Sequence, residues 1–177
     1  WREYAEALLW ALIAVVLIRH FVIAAYRIPT GSMRATILEG DHVFANRFLY
    51  GLKIPFVDGK FFPIREPRRG DIVVFPYPED EGVNYIKRVI ATGGETVELR
   101  GKTVYIDGRP LDEPYAQYVK GDRVSPLEYY PLRRFGPLKV PEGKLFLLGD
   151  NRDGSRDSRF WGFVEADKVK GRAFIIY

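Results

Sequence analysis

The apolar and polar positions divide the chain into one long apolar stretch followed by a series of short ones. From Ala7 to Ala25 every residue is apolar except Arg19 and His20. A bilayer-crossing helix needs about 20 such residues, and arginine near the end of a span can snorkel to the headgroups. Trp1, Tyr4 and Trp10 at one end and Tyr26 at the other suit interfacial aromatic positions. The pattern predicts a single membrane anchor helix over residues 1–26. A cleaved signal peptide and a buried helix are the competing readings. No small-x-small cleavage site fits cleanly, although Ala24-Ala25 keeps the first of them open.

Beyond the anchor the period shortens. Asp41 to Phe48 alternates, with Val43, Ala45 and Arg47 on one face and His42, Phe44, Asn46 and Phe48 on the other. Ile72 to Phe75 and Leu145 to Leu148 are short apolar runs suited to buried strands. Asn84 to Ala91 alternates again, Tyr85, Lys87 and Val89 against Ile86, Arg88 and Ile90. Thr96 to Leu99, Thr103 to Ile106 and Gly171 to Tyr177 read as further strands, and Asp107-Gly108 is a hairpin signal. Gly51 to Arg69 reads as a long connection, and Pro110 to Pro141 as an irregular insertion. The expected fold is mostly β: an antiparallel-sheet domain over 27–98 and 138–177, a small inserted β or irregular subdomain over 99–137, and the preceding transmembrane helix.

Composition narrows the chemistry. At 47% hydrophobic and 15% aromatic, 177 residues suffice for a core. The net charge of +4 is modest and spread along the chain, so it does not call for nucleic acid. The absence of cysteine excludes disulfides, thiol catalysis and thiolate-bound metals. No HExxH, GxGxxG or P-loop pattern is present. Of the two histidines, His20 lies in the anchor and His42 is isolated, so a Ser-His-Asp triad has no other support.

What remains is a serine served by a lysine base. Ser32 follows Pro29-Thr30-Gly31 just past the anchor, at a bend that a glycine favours. Lys87 lies among apolar neighbours on a predicted core strand, where burial disfavours the charged amine. Taken singly, one is a turn serine and the other an edge lysine.

Four stretches change those odds. Pro29-Thr30-Gly31-Ser32-Met33, Arg69-Gly70-Asp71-Ile72-Val73-Val74-Phe75, Tyr85-Ile86-Lys87-Arg88-Val89 and the run Gly149 to Gly162 resemble, in order, the conserved boxes of type I signal peptidases. The resemblance implies Ser32 as nucleophile and Lys87 as general base. It implies an oxyanion hole from the Thr30 hydroxyl and the Ser32 backbone N–H, and Ser155 as the hydroxyl orienting the lysine. Asp157 and Arg159, with Arg88, match ion pairs that brace the site. Tyr26, Ile28, Val74 and Ile86 match the pockets for small substrate side chains.

The implied protein is an endopeptidase of the bacterial cytoplasmic membrane, single-pass, with its catalytic domain on the extracytoplasmic side. It removes signal peptides after Ala-x-Ala sites. Its partners are preprotein signal peptides and the lipid bilayer, and no metal, organic cofactor or nucleic acid is implied. One departure stands out: Ala35-Thr36-Ile37 replaces the family's usual Pro-Thr-Leu, which loosens the turn behind the nucleophile. The rival readings are a LexA-like self-cleaving Ser-Lys protease, which should carry a DNA-binding domain, and an anchored peptide-binding module whose site has decayed.

Overall fold

The computed structural model describes residues 1–17, 23–28, 30–34, 36–51, 61–119 and 131–176. Arg19, His20, Pro29 and Ala35 lie outside them, as do much of the connection expected over Gly51–Arg69 and the middle of the insertion. The apolar start forms helix α1, Arg2–Leu17. The expected continuation of the anchor to Tyr26 is corrected here, because Ile23–Arg27 is strand β1. At 1.5 Å per residue, α1 is about 24 Å long, short of a hydrocarbon core of about 30 Å. Among the described residues no helix is long and apolar enough to cross a membrane.

The strands that follow are β2 (His42–Asn46), β3 (Ile72–Tyr77), β4 (Asp80–Thr92), β5 (Thr96–Arg100), β6 (Thr103–Ile106), β7 (Arg109–Pro110), β8 (Arg134–Lys139), β9 (Lys144–Leu148), β10 (Val164–Glu165) and β11 (Gly171–Ile176). A short helix, α2 (Ser158–Trp161), separates β9 from β10. Among the described residues, β1-β2-β11-β3-β4-β9-β10 form one antiparallel sheet and β7-β6-β5-β8 a second. The fold is therefore mostly β and antiparallel.

Alternation produces the expected burial in β2, where Val43 and Ala45 point inward and His42 is exposed. The hairpin from β6 to β7 turns at Asp107 and Gly108, both with positive φ, as a type I′ turn requires. Strand β8 runs through the expected irregular insertion. Its sequence, RFGPLK, lacks alternation, and its place is set by pairing with β5, Thr96 opposite Lys139.

Three buried clusters hold the layers. Ile90, Ala91, Phe146 and Leu148 of the large sheet pack with Val97, Leu99, Val104 and Ile106 of the small one. Val73, Phe75, Val89, Leu145 and Leu147 pack with Tyr50 and Val164. Ile28, Met33 and Ile37 pack on Val43, Ala45, Val74 and Ile86. The third cluster fastens the Ser32 turn to the sheet, and the first ties the two sheets together.

Phe146 is wholly buried where the two sheets meet, between the rings of Phe135 and Phe163. Phe146→Ala should lower stability by about 3–5 kcal/mol in urea unfolding. A negligible change would mean that the packing between the sheets is not a principal source of stability.

Candidate active site

Ser32 sits in a 3-10 turn, Gly31–Met33, entered from an extended Thr30 (φ −136°, ψ 148°). Met33 is fully buried and pins the turn. Lys87 lies on β4 opposite Val73 of β3 and is 2% exposed. Its Nζ donates to Ser32 Oγ at 2.6 Å and to the Ile86 carbonyl at 3.2 Å, and stands 5.2 Å from the centre of the Tyr85 ring.

Burial drives the Lys87 amine down to about 8. Asp157 and Asp150 pull the other way, and the Arg159 guanidinium assists the lowering. Near neutrality such an amine is neutral in an appreciable fraction of molecules, and the contact with Ser32 then reverses: the hydroxyl donates to the nitrogen lone pair.

The loop from Gly149 to Asp157 closes over this pair with buried charges in matched couples. Arg88 donates from Nε and Nη2 to Asp150 at 2.8 and 2.6 Å, and Thr36 donates to the same carboxylate. Arg159 grips Asp157 from Nε and Nη2, both at 2.8 Å. Arg88 thus belongs to an ion pair separate from that of Asp157 and Arg159. Arg152, wholly buried, pairs with Glu113, and Arg133 pairs with Asp153. Burial alone would raise the Asp157 carboxyl; the Arg159 guanidinium and the Gly149 N–H outweigh it and hold the group below the usual carboxylate range.

Ser155 is buried beside this carboxylate and its dipole helps keep it ionised, yet Ser155 Oγ meets no partner at hydrogen-bond geometry. It also crowds Gly149: a Cβ there would collide with both Ser155 Oγ and the Ser32 carbonyl oxygen. Only glycine lets the loop approach the Ser32 turn so closely.

Beside the dyad opens a cleft of about 400 Å³, lined by Ala25 to Ile28, Thr30, Val74 and Gly82 to Lys87. Tyr26, Ile28, Val74 and Ile86 all fall within it, together with Thr30 and Lys87. Its two long walls are strand edges. Among the described residues β1 pairs only with β2, and β4 pairs with β9 only from Arg88 onward, so Asn84 to Lys87 pair with β3 alone. His42 is exposed on β2, opposite Arg27. Among the described residues no three His, Asp or Glu side chains converge as a metal site.

A serine hydroxyl against a buried amine, beside an open cleft, is an arrangement suited to acyl transfer. Comparison with known proteins gives it a family. The model described as signal peptidase, peptidase S26, matches residues 1–177. The chain belongs to the signal peptidase S26 family. It is accordingly an enzyme, a peptidase. A signal peptidase I of Pseudomonas fluorescens is 32% identical over 99% of this chain and 72% of its own length. One from Aquifex aeolicus is 31% identical over 99% of this chain and 84% of its own. A crystal structure of a signal peptidase I from Enterococcus faecalis superposes with a TM-score of 0.51 at 43% identity, covering 61% of this chain and 97% of that one.

The site also contains residues whose part in it has no signature in the sequence. Asp150, Asn151 and Arg152 lie in the recognised box, but a run so rich in polar side chains does not say which of them touch the Ser32 turn. Glu113 and Arg133 carry no local signal; only the fold brings them to Arg152 and Asp153.

The lowered Lys87 pKa has a signature in stability. An unfolded lysine, near 10.5, takes up a proton that the folded amine refuses until about 8. The Lys87 contribution to stability is therefore lost as pH falls through that window and is constant below it, a penalty of about 3 kcal/mol. Lys87→Met lacks the term. Its stability relative to wild type should grow by that amount between pH 10.5 and pH 7 in urea unfolding. A difference that does not vary with pH would mean that the amine is not desolvated.

Proposed function

We propose that this peptidase is a membrane-attached serine endopeptidase that removes N-terminal signal peptides from exported preproteins, cutting after small residues. The observation that carries the reading is the 2.6 Å contact between Lys87 Nζ and Ser32 Oγ in a buried setting.

Neutral Lys87 accepts the Ser32 proton as Oγ attacks the scissile carbonyl carbon, whose π electrons move to the oxygen. The Ser32 N–H and the Thr30 hydroxyl receive the oxyanion. Collapse breaks the C–N bond; the leaving amine takes the proton from Lys87, and the signal peptide remains as an ester on Ser32. Lys87 then deprotonates a water, which attacks the ester carbon. The second collapse returns the proton to Ser32 Oγ and releases the signal peptide as an acid. Ser155, a buried hydroxyl without a partner, is the group available to orient the amine. The buried pairs Arg88–Asp150 and Asp157–Arg159 hold the loop that carries it.

The substrate is read as an extended strand. Its backbone is served by the open edges of β1 and β4, and its small side chains by the walls formed by Tyr26, Ile28, Val74 and Ile86. Leu8, Leu9, Trp10, Leu12, Val15 and Val16 are exposed along α1. That apolar surface supports attachment to the cytoplasmic membrane, and the kinship with signal peptidases supports an extracytoplasmic side for the sheets. Such attachment keeps the cleft at the bilayer surface, where signal peptides are held.

Cleavage of a preprotein bearing an Ala-x-Ala site, in detergent and across pH, tests the reading. Wild type should cut after the small residue, with kcat/KM rising through a midpoint near pH 8 as Lys87 loses its proton. Ser32→Ala and Lys87→Ala should each lose about 10³-fold or more. Near-normal activity in Lys87→Ala would move the base elsewhere, and no cleavage by wild type would sink the reading.

A further inference from the structure

The Ser32 turn is held from one side by a residue without an assigned role. Asn151 Nδ2 donates to the Gly31 carbonyl at 3.0 Å, and the Asn151 backbone N–H donates to the Ser32 carbonyl at 3.1 Å. Asn151 is 6% exposed, and its Oδ1 has no partner, so the side chain's polar engagement runs through Nδ2. Only the nitrogen of an amide can donate to a carbonyl, which sets its orientation.

The Gly31 carbonyl and the Ser32 N–H belong to one planar trans peptide unit and point in opposite directions. Fixing the carbonyl fixes where the N–H points. That N–H lies at the start of a 3-10 turn, where helix geometry leaves a donor without an intrahelical partner. It is the backbone donor assigned above to the oxyanion. The Gly31 carbonyl also accepts the turn's own bond from the Arg34 N–H at 3.0 Å, which leaves the plane free to tilt about that one contact. We infer that Asn151 is a positioning residue of the oxyanion hole, aiming the Ser32 N–H by holding the other end of its peptide plane from a second direction. The inference rests on the serine-protease reading of the preceding subsection.

The surroundings of Asn151 fit this role. Its backbone is strapped on both sides by Gln117, whose N–H donates to the Asp150 carbonyl at 2.7 Å and whose carbonyl accepts from the Arg152 N–H at 2.8 Å. The buried Arg152–Glu113 pair braces the same strap. Space for the amide is left by Gly154. A Cβ there would stand 2.5 Å from Asn151 Nδ2 and 3.0 Å from its Cγ. The φ of Gly154 lies outside the left-handed region, so alanine is acceptable to the backbone and acts through the Asn151 amide.

Three variants test the role: Asn151→Ala, which removes the amide; Asn151→Asp, which replaces the donor with an acceptor; and Gly154→Ala, which displaces the amide and leaves residue 151 intact. Each is assayed on the Ala-x-Ala preprotein and with two probes. A peptide aldehyde with the same sequence takes Ser32 Oγ at its carbonyl carbon, and its oxygen occupies the oxyanion hole. The signal peptide ending at the same residue as a carboxamide binds the cleft with a neutral carbonyl and forms no oxyanion.

In all three variants kcat should fall about ten- to a hundredfold, and the aldehyde should weaken by a similar factor. KM and affinity for the carboxamide peptide should stay as in wild type. The pH midpoint of kcat/KM should also stay in Asn151→Ala and Gly154→Ala, whereas the carboxylate added by Asn151→Asp raises it. A merely structural role predicts a lower melting temperature with all binding weakened alike, and that result overturns the inference. Unchanged kcat, or reduced kcat with undiminished aldehyde affinity, does so too. If the Asn151 variants fail to fold, Gly154→Ala alone decides by the same readouts. Inactivity of wild type overturns the serine-protease reading instead, so the two failures are distinguishable.

Discussion

The site depends on keeping an amine out of water. An isolated ammonium buried in protein costs several kcal/mol, and a lysine so placed responds by giving up its proton more easily. Lys87 is surrounded by the strands that make the core: Val73 stands opposite it on β3, and Ile86 and Val89 flank it on β4. The same packing that makes β4 a central strand lowers the amine to about 8 and presses it against Ser32. Stability and reactivity are in direct opposition at this residue. The proposed chemistry needs the desolvation that the fold would be more stable without.

Around that amine the chain gathers buried ions in pairs. Asp150, Arg152, Asp153 and Asp157 are buried in one loop and Arg159 in the helix α2 that follows it, and each has an oppositely charged partner. Buried pairs of this kind add little net stability over an apolar filling, while loss of one partner is costly. Their effect here is geometric. Arg88 and Thr36 hold the loop's start, Glu113 and Arg133 its middle, and Arg159 its end, so that Asn151 meets the Ser32 turn in one arrangement.

The cleft follows from sheet order. Because β1 is an edge strand and β9 pairs with β4 only over Arg88 to Thr92, two stretches of backbone among the described residues keep an edge without a strand partner. Edges of this kind invite an added strand. In this protein they border a cleft that Lys87 also lines, so in the proposed function the liability of an open edge becomes a means of holding an extended peptide.

Local patterns in the sequence carried much of this. Alternation in β2, the apolar runs of β3 and β9 and the Asp107-Gly108 turn were readable because burial of one face leaves its period in the residues that form it. The chemistry of a serine with a lysine base emerged by elimination and by resemblance of four short boxes. Strand β1 was not readable: Ile23-Ala24-Ala25-Tyr26 prolongs an apolar helix as naturally as it forms a strand, and pairing with β2 decides between them. Strand β8 became a strand only by pairing with β5. The meeting of Ser32 with Lys87, 55 positions apart, and of Asn151 with Gly31, 120 positions apart, belonged to tertiary structure alone. A sequence records the environment each residue requires. Which distant residue supplies it is set by strand order and register, and those are properties of the whole chain.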